Sequence, residues 1–231
     1  MNQATNSYSF ESINVMLYKV FGWMMVALLI SAGTAYYIAS HPALFETIFK
    51  NPFLLFFIFL AQLLLVVVLS AFIMKINFPT AVTCFISYAL LTGLTLSVIF
   101  MVYTQQSIFI TFIVAAGMFG VMALYGYFTK ADLSAVGSLA TMALFGIIIG
   151  FVVNFFLKSG TFDYILSLIG IAVFVLLTAY DMQKIKNMIS TMNHQGDIKN
   201  KIALVGALTL YLDFINLFLM LLRVFGRRNN N

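Results

Sequence analysis

Seven long apolar segments separated by short polar breaks make up most of the chain. The breaks predict membrane spans at about 20–38, 53–74, 80–103, 108–128, 134–157, 164–185 and 202–222. Each segment is long enough to cross a bilayer as a helix, which takes about 20 apolar residues, whereas the strands of a membrane barrel alternate over about ten. A polar amino-terminal tail at residues 1–19 and a short basic, asparagine-rich tail at 226–231 flank them. We therefore expect an all-α polytopic membrane protein with one seven-helix domain at 20–225.

Composition supports membrane insertion. Hydrophobic residues make up 63 % of the 231 residues and charged residues only 8 %, whereas a soluble domain carries roughly 25 % charged residues. The net charge of +5 comes from basic residues that flank the apolar segments, a position typical of contact with lipid headgroups. We therefore expect the lipid bilayer, and no nucleic acid, as the partner of these residues.

The distribution of basic residues predicts the orientation. The amino-terminal side of the predicted bundle carries seven lysines and the opposite side five basic residues. The seven are Lys19, Lys75, Lys130, Lys184, Lys186, Lys199 and Lys201, and the five are Lys50, Lys158, Arg223, Arg227 and Arg228. This difference favours a cytoplasmic amino terminus, although the carboxy-terminal arginines act against it.

Several chemistries are disfavoured by the residues that the spans lack. Cys84 is the only cysteine, and His41 and His194 both lie in predicted loops, so neither a thiolate metal site nor an intramembrane histidine site is expected. No lysine lies well inside a span to bind retinal, since Lys184 stands at the end of the sixth, and neither a GxxxxGK[ST] loop nor an HExxH motif occurs. We expect a protein without a resident cofactor that is not an enzyme.

Small residues recur at the spacing of close helix packing. Gly93 and Ser97 lie four residues apart in the third span, and Gly146 and Gly150 form a GxxxG pair in the fifth. Small residues at this spacing allow helix backbones to approach each other. We interpret both pairs as packing positions.

Only two of the seven acidic residues lie inside apolar helices. Asp181 lies in the sixth span and Asp213 near the middle of the seventh. An aspartate at bilayer depth costs about 2.5–3.5 kcal/mol on insertion scales, which makes it a functional candidate. Consecutive antiparallel spans would place both on the same half of the membrane, where two facing carboxyl groups would share a proton. Ionised, the same pair offers oxygen ligands for transient binding of Ca²⁺.

At these residues the sequence resembles a known family. The segments TAYDMQKI at 178–185 and ALTLYLDFINLF at 207–218 resemble the carboxy-terminal signatures of the Bax inhibitor-1 family (transmembrane Bax inhibitor motif proteins), bacterial branch. YGYFTKADLS at 125–134 and TGLTLS at 92–97 are similar to its middle motifs. The resemblance covers nearly everything after residue 20.

The resemblance implies a bundle in which six helices surround the seventh, with the amino terminus in the cytoplasm and the carboxy terminus outside. It also implies a pH-sensitive calcium leak channel in the bacterial inner membrane, whose paired-aspartate sensor falls on Asp181 and Asp213. A second implied function is that of a non-conducting protein that modulates a membrane-bound AAA protease.

The second span departs from calcium-leaking members of the family. Those members can carry a basic cluster at the inner end of this span and an acid within it, whereas here Lys75 stands alone and Gln62 is the nearest polar residue. In place of that cluster, the candidates for a latch or for groups that support the aspartate pair are Lys75, Gln62 and Asn216.

Overall fold

The computed structural model describes residues 2–191 and 197–229, and their backbone is mostly helical. The helices are α1 (Asn2–Ala39), α2 (Pro42–Phe49), α3 (Pro52–Ala71), α4 (Phe78–Leu96), α5 (Ile99–Val102), α6 (Gln105–Phe128), α7 (Ser134–Leu157), α8 (Gly160–Thr191) and α9 (Asp197–Phe225), with a 3₁₀ turn at Ile73–Lys75. One isolated antiparallel bridge joins Tyr103 to Arg228, and the described chain contains no β-strand.

In the described part of the chain, seven helical stretches are long and apolar enough to cross a membrane. They are Ile13–Ala39, Pro52–Ala71, Phe78–Val102, Gln105–Phe128, Ser134–Leu157, Gly160–Ser190 and Asp197–Phe225. The predicted number of spans and the all-α polytopic class are thereby confirmed. The last two helices are longer than the predicted spans, because helical turns that carry charged residues continue each of them beyond its most apolar stretch.

Three segments differ from the sequence-based expectation. The residues predicted as a polar tail are helical from Asn2 onward, because residues 2–21 contain neither proline nor glycine. The predicted loop after the first span contains α2, which begins at Pro42, since proline is well suited to the first turn of a helix. The third span is interrupted after Leu96, where the hydroxyl of Ser97 donates to the carbonyl of Leu94 over 2.7 Å.

The helix starts follow from side-chain caps on unpaired backbone amides. Asn51 accepts hydrogen bonds from the first-turn amides of α3, and Asn77 and Thr104 cap α4 and α6 in the same way. A cap of this kind stabilises a helix by about 1 kcal/mol. These polar residues therefore determine where three spans begin.

The described chain forms two compact units. The first comprises residues up to Val102 and Ile189–Leu208, and the second comprises Tyr103–Met188 and the chain from Thr209 onward. In the first unit, α1 packs along α4: the hydroxyl of Ser31 donates to the carbonyl of Ala89 over 2.8 Å, and a Cβ at Gly93 would lie 2.5 Å from the Ser31 carbonyl oxygen. Trp23 adds edge-to-face contacts with Phe78 and Phe85.

The second unit contains α6, α7, most of α8 and the carboxy-terminal half of α9. Phe112 and Phe119 of α6 pack edge-to-face on Phe214 of α9, with ring centroids 5.3 and 5.6 Å apart. Span seven is the most enclosed: 72 % of its most apolar stretch is buried, against 11–44 % for those of the other six. A buried aspartate on this helix is therefore removed from both lipid and water.

Candidate functional site

The two intramembrane aspartates meet inside the second unit. Asp181 lies on α8, which continues past it to Thr191. Asp213 lies on α9 among large apolar side chains and is 5 % exposed, whereas Asp181 is half-buried. Consecutive helices thus bring together residues that are 32 positions apart in the sequence (213 minus 181).

The side chains of Asp181 and Asp213 lie within hydrogen-bonding reach of each other. Lys184, one turn further along α8, is the cation whose charge acts on Asp181. The Oδ2 atom of Asp213 is buried and accepts no hydrogen bond from the described residues. The pair therefore holds one carboxylate oxygen without a donor in a region that excludes solvent.

A single proton stabilises this arrangement. Two ionised carboxylates in contact repel each other, whereas one added proton converts their contact into a charge-assisted hydrogen bond. The two groups then titrate as a pair, with apparent steps that belong to both residues. The geometry brings two carboxyl groups on neighbouring helices close enough to share a proton.

The pair alone does not complete a resident metal site. Among the described residues, no group of three or more His, Cys, Asp or Glu side chains could hold a metal ion. Calcium takes six to eight oxygen ligands, and two carboxylates supply at most about four. Asn216 lies one turn after Asp213, and its amide nitrogen donates to the Leu212 carbonyl over 2.8 Å, so its side-chain oxygen is a further ligand candidate.

The other two candidates for a latch belong to the first unit. The amide of Gln62 donates to the Thr95 hydroxyl over 3.3 Å, which joins α3 to α4. The ammonium group of exposed Lys75 lies 5.3 Å from the centre of the Phe72 ring. Both side chains are thus engaged by neighbours within their own unit.

The small residues differ in what they contact. Gly93 and Ser97 are buried, and Gly93 lies against the backbone of α1, as a packing position should. A Cβ at Gly150 would meet the side chain of Leu166, whereas a Cβ at Gly146 would have no described atom within 4 Å. Among the described residues nothing lies against Gly146, so its role as a packing position stays a prediction.

The remaining titratable candidates lie away from the pair. His41 immediately precedes α2 and is exposed, with its ring against Tyr37, and Cys84 is a half-buried free cysteine on α4. His194 lies outside the described residues. No role in the site follows for any of them.

Helices α8 and α9, which carry the aspartate pair, make a second charged contact further along their interface. The guanidinium of Arg223 lies 3.0 Å from a carboxylate oxygen of Asp163, and it stacks over the Phe151 ring at 4.6 Å. Between this ion pair and the aspartate pair, the side chain of Met220 covers Gly170. These contacts pack α8 against α9 along the length between the ion pair and the aspartate pair.

Four residues near the pair were not predicted as part of the site. Gly126 and Gly137 allow α6 and α7 to approach the backbone of α8 and the ring of Tyr180. Gln183 forms hydrogen bonds to the connection between α6 and α7, and Lys186 donates to the carbonyl of Tyr127 in the last turn of α6. The available signal was their position, because the glycines flank the polar break at 129–133 and Gln183 follows Asp181 by two residues.

Comparison with known proteins places the chain in a family. Residues 13–230 match the family described as "Inhibitor of apoptosis-promoting Bax1". The chain is 53 % identical over 212 residues to "Inner membrane protein YbhL" of Escherichia coli (strain K12), covering 91 % of this chain and 90 % of that protein. It is 45 % identical over 218 residues to a protein of Borreliella burgdorferi, covering 94 % of each. A membrane protein of Streptococcus pyogenes is 37 % identical over 186 residues, covering 80 % of each. The chain therefore belongs to the Bax inhibitor-1 family.

Proposed function

We propose that this polytopic membrane protein is a pH-sensitive calcium leak channel whose aspartate pair controls the pathway. The observation that carries the proposal is the contact of Asp181 with buried Asp213 inside helices that cross the membrane. A charged residue at this depth is costly and typically marks an ion pathway or a proton relay. A protein that only binds a partner has no need of two such residues.

Protonation acts on the pair in two ways. When both carboxylates are ionised they attract a divalent cation, and when they share a proton they attract it less and draw α8 and α9 together. Both the binding of the ion and the separation of the helices therefore change as the pair titrates. We expect calcium flux to vary between about pH 6 and 8, a range in which a buried carboxyl pair can titrate.

The proposed location is the bacterial inner membrane, with a cytoplasmic amino terminus and an external carboxy terminus. The name of the Escherichia coli relative supports the membrane assignment. The excess of lysines on the amino-terminal side supports the orientation. In this orientation the loop between α6 and α7 faces the cytoplasm.

Calcium flux into liposomes that contain the purified protein tests the proposal. Wild-type protein should admit calcium to an entrapped dye in a pH-dependent manner, whereas Asp213→Asn should lose that dependence. Asp132→Asn is the matched control, because Asp132 is an exposed acid of the same unit that lies outside the pair. The amide oxygen of asparagine can still accept the hydrogen bond from Ser134 that shapes the loop. Flux no greater than in empty liposomes would refute conduction. The non-conducting protein that modulates an AAA protease would then be the better account.

A further inference from the structure

Gln183 makes two hydrogen bonds to the loop between α6 and α7. Its side-chain oxygen accepts from the backbone amide of Leu133 over 3.0 Å, and its side-chain nitrogen donates to the carbonyl of Ala131 over 2.8 Å. One amide group thus satisfies a donor and an acceptor of the same loop, as a neighbouring strand would. This double contact fixes the loop to α8 in both position and direction.

The loop itself is held in a defined shape. The hydroxyl of Thr129 accepts from the amide of Ala131, and the carboxylate of Asp132 accepts from the amide of Ser134. Leu133 is buried, with 6 % of its surface exposed. Gln183 therefore binds a backbone whose shape is already fixed, and its two hydrogen bonds hold α8 at a defined place against the loop.

Three further contacts join α6, α7 and their connecting loop, together called the α6–α7 hairpin, to α8 on both sides of Asp181. A Cβ at Gly126 would meet the carbonyl of Ala179, and one at Gly137 would meet the ring of Tyr180. The ammonium group of Lys186 donates to the carbonyl of Tyr127 over 2.6 Å, near the end of α6. The hairpin thus holds α8 from before Asp181 to beyond it.

These contacts lie on the side of α8 away from Asp213. Residues two positions apart in an α-helix are separated by about 200° around its axis, so Ala179 and Gln183 both lie roughly opposite Asp181. Asp181 itself is directed toward Asp213. The hairpin therefore supports the rear of α8 while its front carries the carboxyl pair.

We propose that Gln183 is a positioning residue for the aspartate pair, because by fixing the 129–133 loop to α8 it holds Asp181 against Asp213. The proposal deepens the pH-sensing part of the proposed function and rests on it. The coupling of two carboxyl groups falls as they separate, so a displacement of α8 would be read directly in the titration.

Among the described residues, the titratable groups around this contact include the phenols of Tyr180 and Tyr127, which lie beneath the ammonium groups of Lys184 and Lys186. Lys184 on α8 acts on Asp181, and Asp213 faces it from α9. In the loop between α6 and α7, Lys130 and Asp132 are exposed. The ammonium group of Lys186 on α8 donates to the carbonyl of Tyr127 and lies over the ring of the same tyrosine. Gln183 carries no charge, so its replacement by an apolar residue changes the geometry of the pair without adding or removing a titrating group.

Infrared titration of the carboxyl groups in the full-length protein tests this role. The signal of the pair is isolated by subtracting the titration of Asp213→Asn. We expect two separated steps in the wild type, and in Gln183→Met we expect the separation to shrink by about one pH unit because the groups interact less. Gln106→Met removes an exposed glutamine of α6 in the same unit and should leave both steps in place. Unchanged steps in Gln183→Met would overturn the proposal.

Hydrogen exchange of the wild-type protein provides a second test if Gln183→Met does not fold. Protection of the 129–134 backbone, corrected for intrinsic exchange, should change over the pH range in which the pair titrates, and Asp213→Asn should abolish that change. Protection that is constant across the titration would refute the coupling. Neither readout requires conduction. If the liposomes show no calcium flux but Gln183→Met alters the carboxyl titration as expected, only the leak is refuted. If calcium flux is normal but Gln183→Met leaves the titration unchanged, only the positioning role is refuted.

Discussion

The replacement of Gly126 by alanine tests how closely the hairpin approaches the helix that carries Asp181. The new Cβ would meet the carbonyl oxygen of Ala179 and would lie 2.9 Å from its carbonyl carbon and 3.0 Å from its Cα. All three atoms belong to the backbone of α8, which cannot rotate away as a side chain could. The two helices must therefore separate.

The expected cost follows from two opposing effects. Overpacking costs about 1–3 kcal/mol, and a clash with backbone belongs at the upper end of that range, whereas glycine to alanine inside a helix gains about 1 kcal/mol. We expect a net destabilisation of about 1–2 kcal/mol. Gly117→Ala in the same helix is the matched control, because a Cβ there has no described atom within 4 Å, and it should be neutral or stabilising.

Reversible unfolding in bicelles measures both variants, and the pH dependence of calcium flux reports the effect on the pair. Gly126→Ala should be less stable than Gly117→Ala. It should also alter the pH profile of the flux, because it displaces α8 at Ala179, two residues before Asp181. Equal stability of the two variants would show that α6 does not approach α8 as described.

Three other predictions follow. The Arg223–Asp163 ion pair is 41 % and 33 % exposed on its two side chains, so Asp163→Asn should lower the free energy of unfolding by less than about 1 kcal/mol, and unfolding in high salt should reduce the difference further. The hydrogen bonds from Ser134 lower the pKa of Asp132 below 3.8; its contribution to stability is therefore present at neutral pH and lost only as the pH falls through the lowered value, so Asp132→Asn should leave the flux profile between about pH 6 and 8 unchanged. Reporter fusions should be active in the cytoplasm at the amino terminus and outside at the carboxy terminus, and the reverse pattern would refute the orientation.

The spans and the aspartate pair were accessible to sequence reasoning because their signals are one-dimensional. An apolar run predicts a membrane helix wherever it occurs, and a lone acid inside such a run is conspicuous because of its cost. The antiparallel arrangement of consecutive spans then predicted that Asp181 and Asp213 share one half of the membrane. Their contact in the second unit agrees with that expectation.

The support of the pair could not be predicted in the same way. Gln183 acts through backbone atoms of a loop 50 residues earlier in the chain, and no local pattern shows which carbonyl or amide a glutamine will meet. The glycines show the same limit. Gly146 and Gly126 have similar sequence contexts in apolar helices, yet only Gly126 lies against a neighbouring backbone, because packing depends on which face of each helix is covered.

The most direct test of the central claim is the pH dependence of calcium flux in four forms of the protein: wild type, Asp181→Asn, Asp213→Asn and the double variant. If the two carboxyl groups act as one coupled unit, the wild type should change its flux between about pH 6 and 8. Each single variant should lose that change, and the double variant should match the single ones. A wild-type flux that is constant across this range, or effects of the two substitutions that add independently, would contradict the account.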